Sequence, residues 1–173
     1  MQTLLIAFSF GAVLEGAGGG GAPVAICGAM MVGLGFDPFA AAFLCLIANT
    51  SPVAFGAVGN PVRVLVAVTG LDGMQISATM GRILPVTAVI LPFWLTRLVT
   101  TWDKVFEVWP GLLVAGLTFG GIQFYWSNYQ DFGLVDIVGG MTTLIILTWF
   151  LRVWKPKTPW RFPQEPAVTV RLQ

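Results

Sequence analysis

The sequence predicts an all-α integral membrane protein, a polytopic helical bundle whose first half holds broken or re-entrant half-helices. Three observations carry this. Of 173 residues, 56% are hydrophobic and 10% are charged, against about 25% charged in an ordinary soluble domain. Apolar runs recur along the chain, and the later ones approach the roughly 20 residues that a helix needs to cross a bilayer. The earlier ones are cut by Gly, Pro, Asn and Asp. Irregular backbone at membrane depth is tolerated where it is buried in protein or lines a wet cavity.

The first apolar run, Leu4 to Leu14, is too short to span and ends at Glu15. A secretory leader needs a basic start, which Met1-Gln2-Thr3 lacks, so the run is expected to belong to a helix cut off at its N-terminal end. Then comes Glu15-Gly-Ala-Gly-Gly-Gly-Gly-Ala-Pro23. Successive glycines are poor helix formers, so Gly18 to Gly21 predicts a break. A new helix follows from Ala22-Pro23, because Pro is favoured at the first helical position. Further apolar runs cover Ala22 to Phe36 and Pro38 to Ile47, with Asp37-Pro38 as the turn between them.

Asn49-Thr50-Ser51-Pro52 predicts a second break, with three good N-cap types placed before a helix-starting Pro. Val53 to Val68 is apolar but interrupted, and Gly59-Asn60-Pro61 makes a third break. Three full spans are expected over Ile83–Val99, Trp109–Trp126 and Gly133–Leu151, with a loop at Gly70–Gly81. Trp94, Trp102, Trp109, Trp126, Trp149, Trp154 and Trp160 cluster near the ends of these runs, as in an aromatic belt. Arg152, Lys155, Lys157 and Arg161 follow the last span, so that end is expected in the cytoplasm, with Arg97 and Lys104 on the same side. The chain divides into a partial transmembrane transporter domain, 1–162, and a polar tail, 163–173.

The breaks point to a site. Free N–H groups at a helix start, reinforced by the helix dipole, attract anions. Broken helices with their N-termini aimed at an anionic substrate are a known transporter arrangement. Gly18, Gly19, Gly20, Gly21 and Ala22, together with Asn49, Thr50 and Ser51, are therefore the candidate substrate-binding residues. Glu15 is the candidate proton-coupling residue, because an ionisable side chain inside a membrane segment is costly and functional by default. Its bland alternative is a cap on the glycine loop or a place at the water interface. Arg63 pairs with Glu15 or a substrate, or snorkels to an interface. Asp72 and Arg82 are expected to flank an external loop, Asp136 to be interfacial, and Asp131 and Glu107 to be solvated.

Composition excludes several classes. A net charge of +1 gives no reason to expect nucleic acid. There is no His, which removes the commonest base and metal ligand. No Ser–His, Cys–His or metal-ligand set exists, so neither an enzyme nor a cofactor is expected. Cys27 and Cys45 read as small packing residues. Gly16-x-Gly18-x-x-Gly21 matches the dinucleotide fingerprint, but its flanks are apolar on every face and cannot form the required soluble sheet.

Several stretches resemble the L-lactate permease family. They are Glu15–Ala25 (EGAGGGGAPVA), Val32–Phe36 (VGLGF) and Leu44–Ala57 (LCLIANTSPVAFGA), with Val68-Thr-Gly70, Gly81-Arg-Ile-Leu-Pro85, Trp109-Pro110 and Asp136-Ile137. The similarity runs from about Leu5 to Phe162 and resembles an internal part of the first half of a longer permease. Gly20 stands where the family usually has Phe, and Ala22 where it has a Thr suited to capping or substrate contact. The resemblance implies proton-coupled transport of L-lactate, with D-lactate and glycolate as further substrates, across the bacterial inner membrane. Its implied partners are a small monocarboxylate, a proton, the bilayer and the remainder of the permease. The competing readings are another carboxylate or anion transporter and a non-transporting membrane fragment.

Overall fold

The computed structural model describes Met1 and residues 3–154. Among the described residues every regular element is helical. They are α1 (Leu4–Gly18), α2 (Ala22–Gly33), α3 (Pro38–Ala48), α4 (Gly56–Thr69), α5 (Gly73–Val99), α6 (Trp102–Tyr129) and α7 (Val135–Val153). A single tight turn, Val53–Phe55, precedes α4. The last three helices are each long and apolar enough to cross a membrane. With α3 and α4, a pair bent by 68°, counted as one broken span, the described residues hold up to four. The chain is a multi-pass membrane protein.

Glycines set how closely the long helices approach. A Cβ on Gly116 would lie 2.8 Å from Val89 Cα, and one on Gly120 would lie 3.1 Å from the Pro85 carbonyl. Gly81 faces Ser127. Rising numbers on α6 meet falling numbers on α5, so the two are antiparallel. Gly116 and Gly120 are four apart, the small-xxx-small spacing that lets helix backbones touch without a hydrophobic driving force from water. α7 returns along α6, with Gly139 against Phe119 and Gly111 near Phe150. α1 lies antiparallel on α7, where Gly140 meets Val13 and Gly16 meets Asp136 and Ile137. Phe8 of α1 seals the centre, edge-on to Phe119 at 5.4 Å. The outer face of α5 stays apolar and exposed at Ile83, Val86, Ile90 and Trp94.

Two expectations are corrected. The Gly70–Gly81 loop is mostly helix, because Asp72 caps α5 by accepting from the Gln75 N–H at 3.0 Å. Asn49-Thr50-Ser51-Pro52 does not start a long helix. Asn49 is the C-cap of α3, its N–H donating to the Cys45 carbonyl at 3.0 Å. The Thr50 hydroxyl donates backwards to the Ile47 carbonyl at 2.7 Å, and Pro52 leads into the Val53–Phe55 turn alone. Residues able to cap a helix start can equally bond preceding carbonyls, and here they do. Trp126 differs from the other tryptophans, for its indole nitrogen is buried and unpartnered, whereas Trp94, Trp102, Trp109 and Trp149 are at least half exposed.

The antiparallel order brings Arg97, Lys104 and Arg152 to one end of the bundle. Lys155, Lys157, Trp160, Arg161 and the 163–173 tail lie outside the described residues.

Candidate functional site

The glycine run breaks the chain where the sequence predicts. α1 ends at Gly18, and Gly19, Gly20 and Gly21 follow with φ of 58°, 57° and 92°. L side chains rarely adopt such values, whereas glycine does so at no steric cost. The Gly19 N–H donates to the Glu15 carbonyl at 2.8 Å, and the Ala22 N–H donates to the Gly19 carbonyl at 3.1 Å. α2 then starts with Pro23 in its first turn. Gly20 and Gly21 are exposed and open, with nothing near an added Cβ.

A second break meets the first. Ala57, Val58 and Gly59 all take left-handed backbone, with φ of 46°, 56° and 73°. For Ala and Val this conformation costs about 1–2 kcal/mol each, and strain of this kind clusters at ligand clamps and switch regions. Gly19 is packed on Ala57 so closely that a Cβ there would lie 2.8 Å from the Ala57 Cβ. Arg63 braces this turn. Its Nε donates to the Val58 carbonyl at 3.3 Å, and its guanidinium lies 5.4 Å from the Phe132 ring centre.

Beneath the two breaks lies a cluster of buried polar side chains. Glu15 is 3% exposed. Its carboxyl is packed on Gly56, one residue before the left-handed turn, and the Asn49 side chain is its hydrogen-bond partner. Gln123 reaches across from α6, its amide donating to the Ser51 carbonyl at 3.1 Å. Asp136, in the first turn of α7, is fully buried, and Gly16, the residue after Glu15, is packed on its Cβ. It is therefore not solvent-exposed, although it stands in the first turn of its span. Depth along the sequence placed it near a membrane face, but α1 covers it there.

The cluster is under-satisfied. Glu15 Oε2, Asn49 Oδ1, Ser51 Oγ, Gln123 Oε1, both Asp136 oxygens and Trp126 Nε1 are buried without a hydrogen-bond partner. Each such group costs on the order of 1–3 kcal/mol, and most buried polar groups are paired. Of the residues singled out from sequence, Glu15, Gly19, Asn49 and Ser51 come together here. Gly20 and Gly21 form the open rim, and Gly18 and Ala22 end and begin the flanking helices. Thr50 is exposed, with its hydroxyl turned to Ile47. Gln123, Trp126 and Asp136 join the cluster without a sequence signal that singles them out, beyond a lone polar residue in an apolar span.

Comparison with known proteins fits this picture. A sequence model described as L-lactate permease matches residues 1–172. Glycolate permease GlcA of Escherichia coli (strain K12) is 55% identical over 157 residues, which is 91% of this chain and 28% of that protein. The L-lactate permease of Bacillus subtilis (strain 168) is 48% identical over 172 residues, 98% of this chain and 31% of that protein. The chain thus spans 28–31% of the length of these curated relatives. No solved structure matches it.

Proposed function

We propose, on the premise that the chain belongs to the L-lactate permease family, that it forms part of a proton-coupled carrier of L-lactate in the bacterial inner membrane. D-lactate and glycolate are its further cargo. The observation that carries the reading is the juxtaposition of the glycine break with a buried acid, Glu15, at the foot of that break. The relatives named above are permeases for lactate and glycolate. Both compounds present a carboxylate beside a hydroxyl, so one recognition site serves both.

In this reading the carboxylate is received at the Gly18–Ala22 break. There the backbone N–H groups of Gly20 and Gly21 and the dipole of α2 favour negative charge. Asn49 and Ser51 address the neighbouring hydroxyl. Thr50 is given no contact, since its hydroxyl is engaged in its own turn. Glu15 carries the coupled proton. Nothing is chemically transformed, so the protein is a carrier and not an enzyme. Arg97, Lys104 and Arg152 share one end of the bundle, which the positive-inside rule assigns to the cytoplasm together with the polar tail.

The test is a chimera in which residues 1–172 replace the matched stretch of the Bacillus subtilis permease. It is expressed in cells lacking their own lactate uptake. Labelled L-lactate and glycolate should accumulate under an inward acid gradient and compete with each other, while citrate and succinate should not compete. Accumulation that persists after the proton gradient is collapsed would refute proton coupling. Competition by di- or tricarboxylates would refute the substrate class.

A further inference from the structure

We infer that Glu15 and Asp136 are a single proton site, in which the two carboxyls share one proton and one negative charge. This rests on the proton-coupled reading above and adds to it a second acid from the far end of the chain.

The two groups come from different helices, α1 and α7, and are held together by packing. Gly16 follows Glu15, and a Cβ on it would lie 2.9 Å from the Asp136 Cβ and 2.8 Å from the Ile137 backbone nitrogen. The side chains are 3% and 0% exposed. Three of their four oxygens are without a hydrogen-bond partner. An acid in the first turn of a helix is often a simple dipole partner, but Asp136 makes no capping hydrogen bond with either oxygen.

The charges around the pair decide what it can hold. α2, α3 and the part of α6 beyond Glu107 contain no charged residue. From α4, Arg63 turns to Val58 and Phe132. From α5, Arg82 reaches Asn128. In the loop before α7, Asp131 is packed beside Gly133. Among the described residues no cation forms an ion pair with either acid. Two buried carboxyls on helices in contact at Gly16, with no cation paired to either, disfavour double ionisation, and holding one proton between them is the usual resolution. Asn49 beside Glu15 and the helix start beside Asp136 each favour one negative charge, so the pair is built to keep one charge and not to lose both.

The remaining unpartnered oxygens point the same way. Asn49 Oδ1, Ser51 Oγ and Gln123 Oε1 all present lone pairs. Trp126 Nε1, packed against Phe55, Val62 and Val135, is an unpartnered donor, and the Ser51 hydroxyl can donate as well as accept. Acceptors of this kind suit a proton and the hydroxyl end of the substrate, and not its carboxylate. A proton adds no volume, which suits helices packed so closely that a methyl group does not fit between them at Gly16. Uptake of the proton lowers the pair's negative charge by one, and release restores it.

The experiment separates net proton-driven accumulation from lactate exchange, which needs no net proton movement. It uses the chimera in proteoliposomes, with Glu15→Gln, Asp136→Asn, the double variant and Asp136→Glu. Each single neutral variant should lower acid-driven accumulation by about tenfold or more, with a much smaller loss of exchange. The double variant should be no worse than either single, because the two residues act as one unit. Asp136→Glu keeps an acid and should retain accumulation with a displaced pH profile. It also carries the test if Asp136→Asn fails to reach the membrane. Parental accumulation in Asp136→Asn, losses that multiply in the double variant, an unchanged profile in Asp136→Glu, or drive by a sodium gradient would each overturn the inference. A parent chimera that exchanges neither lactate nor glycolate would instead overturn the transport reading beneath it.

Discussion

Three neighbouring glycines that look alike in the sequence should respond differently to the same methyl group. Gly18 is the last residue of α1, with helical backbone, and an added Cβ would meet only the Ala22 Cβ at an ordinary 3.5 Å. Replacing Gly by Ala there gains up to about 1 kcal/mol of helix propensity. Gly20 has φ of +57° with open space around it. Ala at that position bears the left-handed cost alone, about 1–2 kcal/mol. Gly19 has φ of 58° and ψ of −160°, a region used essentially by glycine, at a cost of about 1–3 kcal/mol for any other residue. Its Cβ would also lie 2.8 Å from the Ala57 Cβ and 3.1 Å from the Ala57 nitrogen. Forcing an atom into a packed contact adds about 1–3 kcal/mol.

The expected order of stability is therefore Gly18→Ala at or above the parent, Gly20→Ala below it, and Gly19→Ala lowest by about 2–6 kcal/mol, the sum of the two costs. Unfolding of each variant in lipid bicelles, titrated with denaturing detergent and followed by far-UV circular dichroism, measures the order. Gly19→Ala within about 1 kcal/mol of the parent, the error of such titrations, would refute both the left-handed break and its contact with Ala57.

The same assay checks the rest of the fold. Gly116→Ala places a Cβ 2.8 Å from the Val89 Cα, whereas Gly121→Ala meets nothing within 4 Å. The first should destabilise by about 1–3 kcal/mol and the second should be neutral or stabilising by up to about 1 kcal/mol. Asp37→Ala removes the cap that accepts from the Phe39 and Ala40 N–H groups, both at 3.0 Å, and should cost about 1 kcal/mol. Val58→Gly relieves about 1–2 kcal/mol of left-handed strain against about 0.5–1 kcal/mol of glycine entropy. It should leave stability equal or higher despite deleting an apolar side chain.

The helices were legible because their signals are local. Length and apolarity mark α5, α6 and α7, and a glycine run followed by Pro23 marks the first break. The break at Asn49–Pro52 is legible and the chain bends by 68° there, but the helix expected to start at it is not formed, because Asn49, Thr50 and Ser51 serve helix ends as readily as helix starts. Only their partners, the Cys45 and Ile47 carbonyls, settle which. Gly59-Asn60-Pro61 marks the third break, and the left-handed turn ends at Gly59; its extension back over Ala57 and Val58 is illegible, because these residue types avoid left-handed backbone and tertiary packing imposes it. The burial of Asp136 is illegible for a related reason. Its sequence position gives its depth along α7, but its burial depends on α1, more than a hundred residues earlier in the chain.

The arrangement of donors and acceptors around Glu15 explains why a glycine break and an acid belong together. The Glu15 carbonyl accepts from the Gly19 N–H, so one helical turn carries both the buried acid and the start of the break. Gly19 rests on Ala57, and the Glu15 carboxyl rests on Gly56. The second break therefore touches the first at two adjacent residues, one on the backbone side and one on the carboxyl side. Backbone donors face the open rim at Gly20 and Gly21, and buried acceptors face inward at Glu15, Asn49, Ser51, Gln123 and Asp136. On the proposed reading, an anion at the rim and a proton at the carboxyl would be separated by a single turn of backbone. A shift of that turn on anion binding would then also move the Glu15 carboxyl, and the relation would be reciprocal by linkage. Such a shared turn would give the proposed coupling a physical route without requiring the proton and the substrate carboxylate to touch.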